Sequence, residues 1–144
     1  MTIAVEELDE ATPEAVEALA RMLPQLSRSA PPLTAEKLQS VVASPAVTVL
    51  IARDGGAIVG SLSLALFPIP TGVRAWIEDV VVDEAARGQG VGALLTREAL
   101  RRAQEAGART VDLTTRPSRE AAGRLYEREG FAQRETRMYR YSFS

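Results

Sequence analysis

Apolar residues along this chain fall into two rhythms, and the alternation between them outlines the elements. Strand-like runs cover 3–8, 47–53, 57–67, 74–82 and 110–114, with a last pair at 131–134 and 138–143. Helical spacing links Val16, Leu19, Ala20 and Leu23, then Leu38, Val41 and Val42, then Val91, Leu94, Leu95, Ala99 and Ala103. Punctuation agrees with these limits. Thr12-Pro13-Glu14 supplies an N-cap, a first-turn proline and an acid, and Pro24 stops that helix. Thr34 caps the second helix, which ends before Pro45. Asp54-Gly55-Gly56 reads as a hairpin turn and Pro68 to Gly72 as the next turn, so 47–82 forms an antiparallel meander. The helix from Val91 runs to about Ala106 and closes at Gly107. Ser118 is placed to cap a last helix from Arg119 to Glu129, with Gly130 as its C′ residue. The order β-α-α-β-β-β-α-β-α-β-β predicts an α/β (α+β) fold, a single mixed sheet of about 6–7 strands flanked by about four helices. The strand–helix–strand unit from 74 to 114 should be parallel and right-handed. No repeat, linker or low-complexity tract divides the chain, so residues 1–144 read as a single domain.

The most informative stretch is the passage from the fourth strand into the third helix, Val80-Val81-Val82-Asp83-Glu84-Ala85-Ala86-Arg87-Gly88-Gln89-Gly90-Val91-Gly92-Ala93. The first four N–H groups of a helix lack intrahelical partners, and the helix dipole makes that end electropositive. Glycines there keep side chains out of the way of a phosphate or pyrophosphate, and Arg87 adds a fixed charge. A glycine-rich loop without a ligand is the bland alternative. Gly88, Gly90 and Ala93 also fit the spacing of a dinucleotide-binding turn, with Asp112 about 20 residues on as a ribose acid. Two features oppose that reading. Several strands precede the motif, and Asp112 falls inside a strand run. The Gly-Lys-Ser/Thr phosphate loop is absent, since Lys37 is the only lysine.

Composition narrows the chemistry further. Net charge is −2, from 17 basic and 19 acidic residues, which gives no electrostatic case for nucleic acid or a membrane as partner. The sequence has no cysteine, hence no thiol nucleophile and no disulfide, and no histidine, the commonest general base. Acid–base work therefore falls to carboxylates, tyrosine, a terminus or water, and no metal site is expected. The N-terminal residues lack the pattern of a signal peptide, and no apolar run approaches a membrane span, so a soluble, cytoplasmic protein is expected.

Arg87-Gly-Gln-Gly-Val-Gly92 after Val-Val-Val-Asp-Glu resembles the pyrophosphate loop of the GNAT superfamily of N-acetyltransferases, Arg/Gln-x-x-Gly-x-Gly/Ala. A second motif follows. The segment Arg119-Glu-Ala-Ala-Gly-Arg-Leu-Tyr-Glu-Arg-Glu-Gly-Phe131 resembles the family's Asn-x-x-Ala-x-x-Leu-Tyr-x-x-x-Gly-Phe, matching at Ala122, Leu125, Tyr126, Gly130 and Phe131. Arg119 occupies the asparagine position, which in the family often contacts the cofactor. The resemblance covers about residues 47–141 and implies a GNAT fold, acetyl-CoA as cosubstrate and transfer of an acetyl group to a primary amine. With no thiol to carry the acetyl group, transfer would be direct, in a ternary complex.

The resemblance also implies roles. Arg87, Gly88, Gln89, Gly90, Val91, Gly92, Ala93, Arg119 and Tyr126 would hold the cofactor. The backbone of Val80, Val81 and Val82 would pair with the pantetheine arm, and an N–H near Val80 would serve the oxyanion. Their side chains read as ordinary core. The strand at 74–82 and the one at 110–114 would splay apart to open the thioester site. Tyr126 is the candidate proton donor to the departing thiolate, and as a phenol of ordinary pKa about 10 it stays protonated. Its plain alternative is a core tyrosine packed beside Ala122 and Leu125. Glu78 is the candidate base. Strict alternation puts it with Trp76 and Val80, and a carboxylate in so apolar a strand invites a raised pKa. Pairing with Arg74 is the equal alternative, and Asp112 is a weaker base candidate. Glu-Asp here also resembles the acceptor-side strand of several GNAT enzymes, including glucosamine-phosphate acetyltransferases. The acceptor itself is open: a small amine, an amino sugar, an antibiotic or a peptide N-terminus, selected by the loops at 23–33 and 68–74. A homodimer is an option the resemblance leaves open. A non-catalytic acyl-CoA-binding or sensing domain of the same fold is the alternative function.

Overall fold

The computed structural model describes residues 2–143. They form two compact units, one ending at Thr114 and the other beginning at Thr115. The first unit is built on an antiparallel sheet in the order β1-β2-β3-β4, with β1 at Ile3–Leu8, β2 at Val47–Asp54, β3 at Ala57–Ile69 and β4 at Gly72–Val82. Helices α1 (Pro13–Met22) and α2 (Ala35–Val42) lie between β1 and β2, and α3 (Val91–Glu105) follows β4. The second unit holds α4, Glu120–Arg128.

The caps legible in the sequence form. Thr12 accepts a hydrogen bond from the Ala15 N–H at 3.2 Å and Thr34 one from the Lys37 N–H at 3.1 Å, each satisfying an orphan donor of its helix. The first α-helix ends at Met22 with Leu23 as its C-cap, directly before Pro24, and a 3₁₀ turn over Leu23–Gln25 follows it. Gly107 has φ +92°, Ala108 N–H donates to Ala103 C=O, and Gly107 N–H donates to Gln104 C=O. That pair of bonds is a Schellman stop for α3.

The sheet's two faces have different covers. Val49, Ile51 and Val81 pack with Leu8, with Ala15, Ala18, Leu19 and Met22 of α1, and with Leu38 of α2. The alternate residues, including Leu50, Leu62 and Leu64, are fully buried in the opposite phase. Gly60 shares that phase and sits under α3. A Cβ on Gly60 would lie 2.9 Å from Val91 Cγ1, 3.2 Å from Leu95 Cδ1 and 3.3 Å from the Val81 carbonyl oxygen. Val91 is β-branched and the carbonyl is main chain, so neither yields readily. Gly60→Ala is expected to destabilise the fold by about 1–3 kcal/mol, read as a lower denaturant midpoint at unchanged slope.

The sheet is smaller than the sequence predicts. Among the described residues it has four antiparallel strands rather than a mixed set of six or seven. The segment 110–114 contributes a single parallel bridge, Trp76 to Asp112, and not a strand. Its direction is the expected parallel one. The segments 131–134 and 138–143 form no strand, and Met138, Tyr139, Tyr141 and Phe143 are exposed. Alternation reports the propensity to be a strand, whereas a strand exists only where a neighbour takes its hydrogen bonds. In the other direction, β3 runs past Pro68 to Ile69, leaving Pro70-Thr71 as the turn. Ser118 does not cap α4, whose N-cap is Arg119 with no side-chain bond. Among the described residues no helix is long and apolar enough to cross a membrane.

Candidate functional site

The site is built around the last third of β4. Ser63 faces Glu78 in the β3–β4 register but Ser61 faces Val81, so Asp79 and Val80 together oppose Leu62. This is a β-bulge, and Asp79 supplies its turn with φ +50°. Aspartate tolerates the left-handed region better than most residues, so the residue type suits the position. The extra residue reverses the alternation. Ala75 and Ile77 are buried in one phase, and Val81 is buried in the other with the α1–α2 cluster. In a regular strand Asp79 would share the buried phase of Ile77; the bulge leaves it exposed.

Glu78 is exposed, so the burial expected to act on its carboxylate is absent. Nor does it pair with Arg74. The Arg74 guanidinium lies 3.7 Å from the Asp112 carboxylate and 5.4 Å from the centroid of the Trp76 ring. Asp112, the weaker base candidate, is thereby already engaged.

Beyond the bulge the outer edge of β4 is open. Ile77 N–H donates to Asp112 C=O at 2.9 Å, and Asp112 N–H donates to Ala75 C=O at 3.0 Å. From Glu78 to Val82 no further strand pairs on that side among the described residues. Val81 is buried, while Val80 and Val82 are half-buried, as befits an edge strand backed by a core.

The glycine stretch follows directly. A 3₁₀ turn over Glu84–Ala86 leads to Arg87, and α3 begins at Val91 with Gly90 as N-cap. Gly88 and Gly90 both have φ +81°, and Gly90 offers no side chain to cap the helix. The first amides of α3 are thus left for a ligand, and a Cβ at Gly88 or Gly90 would meet only open space. Val91 itself is buried, so it anchors the helix and offers only its backbone. Gln89 and Arg87 are exposed, Gly92 and Ala93 half-buried in the first turn. The Arg87 Nε donates to the Val82 carbonyl at 3.3 Å, folding the side chain back along the strand end.

Sequence reasoning missed what holds this loop. Asp83 pairs with Arg21 of α1, and its N–H donates to Val59 C=O at 2.8 Å. The Glu84 N–H donates to Gln25 Oε1 at 3.2 Å. Arg21 beside it holds the Asp83 carboxyl below the usual aspartate range, against the opposing effect of burial. Both anchors span about sixty residues of sequence, and no local pattern announces them. Asp83→Asn is expected to weaken ligand binding at the glycine loop about two- to fivefold, the range of a partly exposed ion pair. The anchor is complete above the ordinary aspartate value of about 3.9 and is lost as pH falls through the lowered native value, so affinity measured against pH should drop only in acid.

The remaining candidates lie in the second unit. Gly130 has φ +99°, Phe131 N–H donates to Tyr126 C=O at 3.0 Å, and Gly130 N–H donates to Glu127 C=O at 3.1 Å. The Tyr126 and Phe131 rings meet edge to face, 5.6 Å between centroids. These are the two bonds and the apolar contact of a Schellman stop. Much of the motif Leu-Tyr-x-x-x-Gly-Phe is therefore a device that ends α4 and fixes Tyr126. Tyr126 is buried, and burial pushes its pKa up, partly countered by the charge of Arg119.

An open strand edge next to a bulge, followed by a helix N-terminus lined with left-handed glycines, is an arrangement suited to an extended ligand ending in phosphates. The sequence profile of the acetyltransferase (GNAT) family matches residues 12–131. The chain belongs to the GNAT acetyltransferase family. Solved structures agree with this membership. A transcriptional regulator from Bacillus halodurans C-125 is 29% identical, with 99% of this chain and 100% of that chain covered, at a TM-score of 0.81. An acetyltransferase from Trypanosoma brucei is 26% identical over 98% of this chain and 100% of that one, at 0.78. An aminoglycoside acetyltransferase from an uncultured soil metagenomic sample is 20% identical over 99% and 97%, at 0.87, which speaks for the GNAT fold alone. No curated protein matches the chain.

Proposed function

We propose that this protein is an N-acetyltransferase that moves an acetyl group from acetyl-CoA directly to a primary amine, small-molecule or peptide. The observation that carries the proposal is the continuous run of open β4 edge, left-handed Gly88 and Gly90, and uncapped α3 N-terminus. Gly88 to Ala93 would hold the pyrophosphate through backbone N–H groups, with Arg87 and Gln89 at the rim. Arg119 would contact the cofactor in place of the family's asparagine. The main-chain groups of Val80 to Val82 would bind the pantetheine arm as an added strand. Acetyl-CoA supplies the acetyl group as a thioester, already activated toward an amine.

The chain's own groups do the rest. Glu78, exposed beside the bulge, accepts the proton of the acceptor ammonium, directly or through water. An N–H at Val80, turned by the bulge, donates to the developing oxyanion. Tyr126 gives its proton to the departing thiolate. The protein would work in the cytoplasm, without a metal, without nucleic acid or membrane as partner, and as a monomer or homodimer.

The test is calorimetric titration of the full chain with acetyl-CoA, with NAD as control, followed by amine-dependent release of CoA thiol. Binding of acetyl-CoA and turnover with an amine support the proposal. Glu78→Gln should then lower kcat about 10²–10⁴-fold with acetyl-CoA affinity retained. Binding without turnover of any amine would instead make the protein an acyl-CoA-sensing domain. Binding of NAD and not acetyl-CoA would overturn both.

A further inference from the structure

The start of β4 carries a feature that acyl transfer alone does not use. Between the β3–β4 turn and the segment after α3 the structure leaves a hollow of about 430 Å³. Arg74 and Arg109 line it, with the hydroxyls of Thr71 and Thr110 and the side-chain-free positions Gly72 and Gly107. Among the described residues no carboxylate lines it. The acid beside it is Asp112, 3.7 Å from Arg74 Nη2, a separation longer than a hydrogen bond. The Arg74 Nε is buried and has no hydrogen-bond partner. A guanidinium carries five donors in a planar fork; the Arg74 side chain as a whole is partly exposed, and only its Nε is a buried donor, one that costs free energy while it lacks an acceptor. Two cations, two hydroxyls and an orphaned donor make a receptor for an oxyanion.

Its position says which oxyanion. Arg74, Trp76 and Glu78 follow one another at alternate positions before the bulge, and so share one face of β4. Their register partners on β3 are Phe67, Ala65 and Ser63. Arg74 and Glu78 are four residues apart, about 13 Å between Cα atoms at the rise of an extended strand. The guanidinium lies over the Trp76 ring, which shortens the span from cation to carboxylate. One face thus presents a carboxylate for an ammonium at one end, an aromatic ring between, and a guanidinium for an anion at the other.

We propose that the acceptor is a small amine that also carries an anionic group, phosphate or carboxylate, which Arg74 and Arg109 hold while the amine lies at Glu78. This inference rests on the acetyl-transfer reading above. Asp112 then acts as the positioning residue that keeps Arg74 over Trp76.

The experiment compares matched acceptors with the full chain and acetyl-CoA: glucosamine 6-phosphate against glucosamine, and 4-aminobutyrate against butylamine. The anionic member of at least one pair should have a kcat/KM about tenfold or more above its neutral partner. The phosphate and carboxylate pairs separate the two sources of negative charge. Arg74→Ala should collapse that ratio through KM, with Arg74→Lys restoring part of it. Arg109→Ala, at an exposed position, should lower it in the same direction should Arg74→Ala fold poorly. Preference for the neutral amines, or a ratio that survives both alanine variants, overturns the proposal and leaves the acetyltransferase reading standing. If acetyl-CoA does not bind, or no pair turns over, inorganic phosphate alone decides the site. Phosphate-dependent shifts of the Arg74 Nε–Hε resonance, lost in Arg109→Ala, support the anion receptor, and an unmoved resonance rejects it.

Discussion

Tyr126→Phe is expected to lower turnover about 10²–10⁴-fold while leaving acetyl-CoA affinity nearly unchanged. The substitution removes one hydroxyl and keeps the ring. The edge-to-face contact with Phe131, the two main-chain bonds that end α4 and the fill of the buried site all survive it. Any loss therefore reports on the proton and not on the fold, which a thermal melt of the variant checks. Burial raises the Tyr126 pKa above the ordinary phenol value, so the group remains a donor throughout the neutral and mildly alkaline range. Wild-type kcat should accordingly show no alkaline fall assignable to this tyrosine below its ordinary value of about 10. Wild-type turnover in the Tyr126→Phe variant would return Tyr126 to the packing role that its Schellman contact already gives it.

That double character shows how far the sequence could be read. Thr12, Thr34, Gly107 and Gly130 each stand at a position where one residue type does one local job, and each does that job in the structure. Local backbone chemistry is legible because it needs no distant partner. The glycine loop belongs to the same class. Strict alternation through 74–82 misses the bulge at Asp79. One signal is present, since Asp79 falls in phase with the buried Ala75 and Ile77, where a carboxylate does not belong. The conflict is resolved by inserting a residue, which leaves Asp79 exposed and puts Val81 on the opposite face. Three other features depend on partners the pattern cannot name. Arg21 reaches Asp83, Arg74 chooses Asp112 over Glu78, and the aromatic alternation of Tyr139, Tyr141 and Phe143 finds no strand to join. Propensity and charge point the right way in each case, and tertiary geometry decides the pairing.

Gly90→Val should weaken acetyl-CoA binding about 10–100-fold, measured by calorimetry at fixed salt. Two effects add. A β-branched residue at φ +81° costs about 1–2 kcal/mol in backbone strain, and the chain relieves it by rotating the peptide that now presents the first amides of α3. Every tenfold in affinity corresponds to about 1.4 kcal/mol, so losing the alignment of one or two charge-assisted N–H bonds accounts for the range. Strain alone must be separated from loss of the cradle. Gly55, in the β2–β3 turn, has φ +62° and likewise nothing within 4 Å of a Cβ, so Gly55→Val carries comparable strain far along the chain from the loop. The two variants should lose similar stability, while only Gly90→Val loses affinity. Equal loss of binding in both would mean that the affinity follows overall stability, and that the N-terminus of α3 is not where the phosphates lie.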